Sequence, residues 1–145
     1  MEIVFIGNNN ELLELPVIQQ VGEITLESKD EEFTTINGTT LNLIGAQGLR
    51  SFTYSSFFPS KRYEFISLAK IKPPQIYINF FENYRAKGLP LRIIIYDNFK
   101  IILNMLCRVH IKYNLRDKAG DVPYTLEIKE YINPSSLNLG GVINV

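Results

Sequence analysis

The chain has 145 residues, 46% of them apolar and 21% charged, with fifteen basic and fifteen acidic side chains and a formal charge of zero. That size fits one ordinary domain with a core of its own, and the charge balance argues against a nucleic-acid reader, which needs a basic excess to replace counterions around phosphate. A single cysteine, Cys107, rules out an intrachain disulfide framework, and no apolar run nears the roughly 18 residues of a membrane helix.

In chain order, residues 3–6 are a short apolar run ending in the turn signal Gly7-Asn8-Asn9-Asn10. Residues 12–19 and 22–28 read as strands; in the second, Ile24 and Leu26 alternate with Glu23, Thr25 and Glu27. Lys29-Asp30-Glu31-Glu32 reads as a charged turn, and Phe33–Ile36 as a strand running into Asn37-Gly38. Asn37-Gly38-Thr39 matches a glycosylation sequon, but Asn-Gly is more simply a turn. Thr40–Leu43 is short and extended. Gly45-Ala46-Gln47-Gly48 lacks the Lys-Ser/Thr of a phosphate loop and reads as a tight turn.

Residues 49–57 form a strand with Phe52 and Tyr54 on one side and Ser51, Thr53 and Ser55 on the other, closed by Pro59. The stretch 60–72 is loop or short turn. After Pro73-Pro74, Tyr77, Phe80, Phe81 and Tyr84 fall at i, i+3, i+4 and i+7, one aromatic stripe of a helix over 74–87. Arg85 and Lys87 suit its last turn, Gly88 its end, and Pro90 blocks continuation.

The last third is a meander. Residues 91–96 are nearly all apolar, which predicts a strand buried on both faces. Asp97-Asn98 makes the turn. Residues 100–113 form a long strand with Ile101, Leu103, Met105, Cys107, Val109, Ile111 and Tyr113 inward, and Asn104, Arg108, His110 and Lys112 outward. Residues 122–131 form the final strand, with Tyr124, Leu126 and Ile128 inward. Because inner positions are odd in one strand and even in the next, opposed residues must have numbers with an odd sum. A turn centred near Lys118 sets Val109 against Leu126 and Arg108 against Glu127, with a slip of about two residues either way.

Candidate chemistry is sparse. His110 is the one histidine, and it sits mid-strand between Arg108 and Lys112, where a solvated or cross-strand-bonded ring is the plainer reading than an acid–base catalyst. Cys107 points inward, and a buried apolar thiol is inert. These two lie on opposite faces of their strand and cannot share a zinc. The carboxylates Asp30-Glu31-Glu32 and Glu127/Glu130 show no calcium-loop spacing and no evident cleft. No enzyme activity, cofactor or metal is expected.

Three segments carry a family resemblance: Gly48-Leu49 with the strand ending Ser55-Ser56-Phe57-Phe58-Pro59; the helix leading into Gly88-Leu89-Pro90-Leu91-Arg92-Ile93; and Gly120-Asp121-Val122-Pro123-Tyr124-Thr125-Leu126-Glu127-Ile128-Lys129-Glu130-Tyr131. Together they resemble the N-terminal domain of the LysM-bearing baseplate proteins of PBSX-like and clostridial contractile phage tails and tail-like bacteriocins. The resemblance implies a structural part near the junction of tail tube, hub and baseplate wedges, with no catalytic residues to carry over. No LysM module follows before Val145, so this chain reads as a short version, a truncation or a related hub–tube adaptor.

The fold expected is α+β: a mostly antiparallel β-sandwich or partial barrel with one covering helix. Residues 1–132 make a single β-rich domain, and 133–145 a tail that is ordered on assembly or frayed. Gly48, Phe57, Phe58, Pro59, Gly88, Pro90, Gly120, Asp121, Tyr124 and Tyr131 carry the motif and its packing. Arg108, His110, Lys112, Leu137, Leu139 and Ile143 are candidate interface residues. The expected function is that of a baseplate or tube-to-hub adaptor in the tail particle, made in the bacterial cytoplasm and assembled as a homo-oligomeric ring against tube, hub and wedge proteins. It calls for neither nucleic-acid sequence reading nor membrane insertion. The alternatives are a cell-wall glycan-binding module of the same tail and a small hydrolase.

Overall fold

A computed structural model describes residues 1–28, 31–43, 47–61, 72–115 and 120–132. The elements are β1 (Glu2–Ile6), a 3-10 turn (Asn8–Asn10), β2 (Leu12–Glu14), β3 (Thr25–Ser28), β4 (Glu31–Thr34), β5 (Thr40–Leu43), β6 (Gln47–Phe58), α1 (Pro74–Lys87), β7 (Leu91–Asp97), β8 (Lys100–Tyr113) and β9 (Val122–Glu130). Seven strands form one sheet in the order β2-β1-β7-β8-β9-β6-β3, and every neighbouring pair is antiparallel. β4 and β5 pair only with each other.

The helix starts and stops where its sequence signals lie. Pro74 stands at the first turn, where amide hydrogens lack partners anyway. Gly88 takes the left-handed conformation (φ 69°), its N–H bonding the Arg85 carbonyl while the Leu89 N–H bonds that of Tyr84. This pair of bonds closes the helix and suits a residue without a Cβ. Tyr77, Phe80, Phe81 and Tyr84 are all buried, and Ile78 joins them.

The sheet curves. Phe81 meets Phe5 of β1 edge-on at 5.0 Å, and Tyr77, one helical turn earlier, stacks on Phe58 of β6 at 4.7 Å. In a flat sheet β1 and β6 would stand about 19 Å apart, four strand spacings, whereas residues four apart on a helix are separated by about 6 Å. The chain after β2 repeats the evidence. Leu15 N–H still bonds the Ile3 carbonyl beside β1, yet the Val17 carbonyl already accepts from Ser56 Oγ on β6. The concave side thus wraps α1, and the core lies between them.

Several expectations need correction. The strand expected over 12–19 ends at Glu14, because Pro16 and the crossing to β6 draw Leu15–Gln19 away. The strand expected from residue 22 begins at Thr25. β7 is not buried on both faces: Leu91, Ile93 and Ile95 are buried, whereas Arg92, Ile94 and Tyr96 are half-exposed. The β8–β9 register has the odd sum but is displaced by two, pairing Val109 with Ile128, His110 with Glu127 and Arg108 with Lys129. The β7–β8 turn is centred on Asn98-Phe99, both at positive φ, one residue later than expected. A register shift between Ile95 and Tyr96 leaves one extra β8 residue, so Ile101 is exposed instead of inward. Tyr113, at the far end of β8, is exposed too. The 133–145 tail, with Leu137, Leu139 and Ile143, lies outside the described residues, as do 62–71 of the 60–72 loop.

Candidate functional site

The three motif segments meet in space. Phe58 stacks between Tyr77 of α1 and Tyr124 of β9, with centroids at 4.7 and 3.9 Å and rings within 10° of parallel. Phe58 and Val122 are opposed across β6–β9, and Phe57 faces Pro123. Just beyond, the buried Asp121 carboxylate accepts from Ser60 N–H at 2.9 Å and Ser60 Oγ at 3.2 Å. Pro59 is buried between these two contacts. Gly120 has φ 86°, and a Cβ there would come within 2.9 Å of Ser60 Oγ. Gly120-Asp121 is therefore a clamp on the end of β6, a local structural reason for these residue types.

Gly48 has a different role from the turn expected for its segment. Ser28 pairs with Gln47 and Leu26 with Arg50, so Gly48 and Leu49 oppose a single β3 residue. This is a bulge, where glycine is favoured. Residues 44–46 of the same segment lie outside the described residues. Pro90 follows the helix end, and Tyr131 N–H extends the β9 pairing by bonding the Leu106 carbonyl.

Tyr84 provides a second clamp, one the residue pattern did not show. Its hydroxyl donates to Glu11 Oε2 and accepts from Asn8 N–H. A Cβ on Gly7 would fall 2.1 Å from that hydroxyl oxygen. The β1–β2 turn is thus fastened onto the helix through a glycine that permits close approach.

The outer face of the sheet is charged. β7 pairs with β8 only as far as Cys107, so residues beyond it have β9 on one side, and the last turn of α1 comes up on the other. There Arg108 Nη2 donates to the Arg85 carbonyl at 3.4 Å, and Arg85 Nη1 donates to His110 Nε2 at 3.3 Å. Since arginine only donates, Nε2 is the acceptor. Lys112 pairs with Glu127, and this contact holds the Glu127 carboxyl below its ordinary range. Arg50 N–H and Nη2 each donate at 3.0 Å to the two oxygens of Glu130, which likewise depresses that carboxyl. An open groove of about 600 Å³ runs over this face, lined by Arg85, Arg108, His110, Glu127 and Lys129 together with Glu23.

Of the candidate interface residues, Arg108, His110 and Lys112 are brought together, but among the described residues only Lys112 forms an ion pair with a carboxylate. Arg85 and Lys129 complete the cluster from other elements. Neither shows in a scan for spacing, because only the register sets Lys129 against Arg108. Cys107 is buried on the concave side, and burial pushes its thiol up to about 12. Among the described residues no three His, Cys, Asp or Glu side chains gather as a metal site, and no helix is long and apolar enough to cross a membrane.

Neither a family model nor a curated protein matches the sequence. Solved structures do match the fold. One is a chain from the tail of an empty gene transfer agent (GTA) particle, determined by helical refinement with C6 symmetry. It aligns over 92% of each chain with a TM-score of 0.50 and 17% sequence identity. At that identity the likeness is one of fold.

Proposed function

We propose that this chain is a structural part of a phage-tail-like particle and acts through protein–protein contacts within a ring of its own copies. The observation that carries the reading is the match along nearly the whole chain to a component of a sixfold tail. The finer role is a baseplate or tube-to-hub adaptor touching tube, hub and wedge proteins, as the resemblance of the Ser55–Pro59, Gly88–Ile93 and Gly120–Tyr131 segments implies. In this reading the curved sheet is a partial barrel, open at its edges, that carries α1 on its concave side, the protein works without catalysis or cofactor, and it resides in the particle.

Exposed apolar side chains at two hairpin ends support the reading. Phe99, Ile101 and Ile102 stand out at the β7–β8 turn, and Ile36 at the β4–β5 turn. Phe99 combines full exposure with φ 63°, an uncommon backbone conformation for a bulky residue. Aromatic side chains of this kind are the anchors of protein interfaces.

Deletion of the gene, followed by electron microscopy of the particles released, tests the reading. Absent or arrested tails are expected, with recovery on complementation. Intact, functional tails without this chain overturn it. Retention of the purified chain on cell-wall polymer, with tails unaffected, favours the glycan-binding alternative.

A further inference from the structure

Across β8–β9, Arg108 stands directly opposite Lys129. Like charges in that position repel, and natural sheets more often pair opposite ones. The helix end adds Arg85 beside them. Nearby acids do not resolve the excess. Glu127 is engaged by Lys112, Glu130 by Arg50, and Glu23 makes no ion pair among the described residues. Among the described residues, Arg85, Arg108 and Lys129 therefore have no carboxylate partner, and all three line one open groove.

The whole chain is neutral, so an excess of cations here is matched by an excess of acidic residues elsewhere. Acidic residues cluster in the sequence at Asp30-Glu31-Glu32, and Glu32, at the start of β4, is exposed. β4 pairs only with β5. An isolated two-stranded hairpin is marginally stable at best in water and gains from a surface to lie on.

We infer that the groove over Arg85, Arg108 and Lys129 receives the Glu32 carboxylate at the start of β4 from a second copy of the chain. A cationic groove and an acidic strand end are different patches, so each copy has one of each to offer. The contact is heterologous, the kind that generates a ring when its rotation closes. This inference rests on the ring-forming role proposed above and names the contact that builds the ring. It also explains why a repulsive cross-strand pair is kept within the folded chain: the repulsion is relieved on docking.

Sedimentation velocity of the full chain at about 50 mM salt, where exposed charges are weakly screened, tests it. The wild type is expected to associate with rising concentration and to dissociate at high salt. Lys129→Glu places an acid opposite Arg108, so it is expected to raise the melting temperature while weakening association about tenfold or more, the equivalent of one decade in Kd. Adding Glu32→Lys to Lys129→Glu reverses both partners and restores association. A merely structural role for Lys129 does not move stability and association in opposite directions.

A wild type that stays monomeric, a Lys129→Glu chain that associates like the wild type, or a double variant that fails to recover each overturns the inference. Rings that form regardless of salt and of Lys129→Glu also overturn it, yet leave the tail role standing. Failure of the tail role is seen separately, as intact particles that lack the chain.

Discussion

The two faces of the sheet solve opposite problems. On the concave face Phe5, Phe58, Tyr77, Phe81 and Tyr124 close on one another until none retains solvent contact worth noting, and Asp121 beside them is clamped by Ser60. On the outer face Arg108 confronts Lys129, and the nearest helix donates its Arg85 to a histidine instead of to an acid. The first face is finished within the chain. The second keeps cations that meet no acid among the described residues. On the reading proposed above, folding and assembly fall to separate surfaces, which lets either be altered with limited effect on the other.

The largest expected effect falls on the finished face. Phe81→Ala removes a ring that is 1% exposed and should cost about 3–5 kcal/mol in urea unfolding. Near-normal stability with failed assembly would instead make the aromatic stripe an interface and dissolve the contrast. Gly7→Ala drives a Cβ into the Tyr84 hydroxyl and should cost about 1–3 kcal/mol; Tyr84→Phe in the same chain should recover part of the loss by removing the atom struck.

A smaller effect separates the two kinds of surface by pH. The Glu130 carboxyl, 19% exposed, is held low by the Arg50 guanidinium and N–H, and Glu127 by Lys112. A depressed carboxyl stabilises the fold above its unfolded pKa of about 4.3, and that stability is lost as pH falls through the folded value. Unfolding followed from pH 7 downward should therefore show a decline below about pH 4.3, and Glu130→Gln should flatten it. An unchanged slope would mean the Arg50–Glu130 contact is not held in solution.

The smallest effect is the most discriminating. Among the described residues the buried Tyr124 hydroxyl meets no hydrogen-bond partner in good geometry: Ser56, opposite it and near enough to interact, donates its proton to the Val17 carbonyl. Burial accordingly raises its pKa well above the ordinary value. Removing an unpaired buried polar group is close to neutral or stabilising, so Tyr124→Phe should leave the melting temperature unchanged or raise it. A clear loss would show that the hydroxyl has a role at the mouth of the stack.

What was legible in the sequence follows the range of the signal. α1 was readable to the residue, since Pro74, the Tyr77–Tyr84 stripe and Gly88 all act within the helix itself. Strand parity was readable for β6, for β8 from Leu103 to Ile111, and for β9, because a period of two survives any error in the turn; it failed at Ile101, beyond the register shift. The register was not, since it depends on a loop, and the two-residue displacement decided which charge Arg108 meets. The early departure of the chain after β2, the Gly7–Tyr84 contact and the curvature of the sheet depend on residues about 40 to 80 positions apart, and no local pattern encodes them. The charged groove was half visible: Arg108, His110 and Lys112 lie on one strand, but Arg85 and Lys129 arrive from α1 and β9.

Cryo-electron microscopy of the native tail, with this chain located in the density, tests the account most directly. The prediction is a closed ring of copies about the tail axis, with the face bearing Arg85, Arg108 and Lys129 of each copy covered by its neighbour. A complete tail from which the chain is missing, or a chain whose charged face looks onto solvent in every copy, would contradict it.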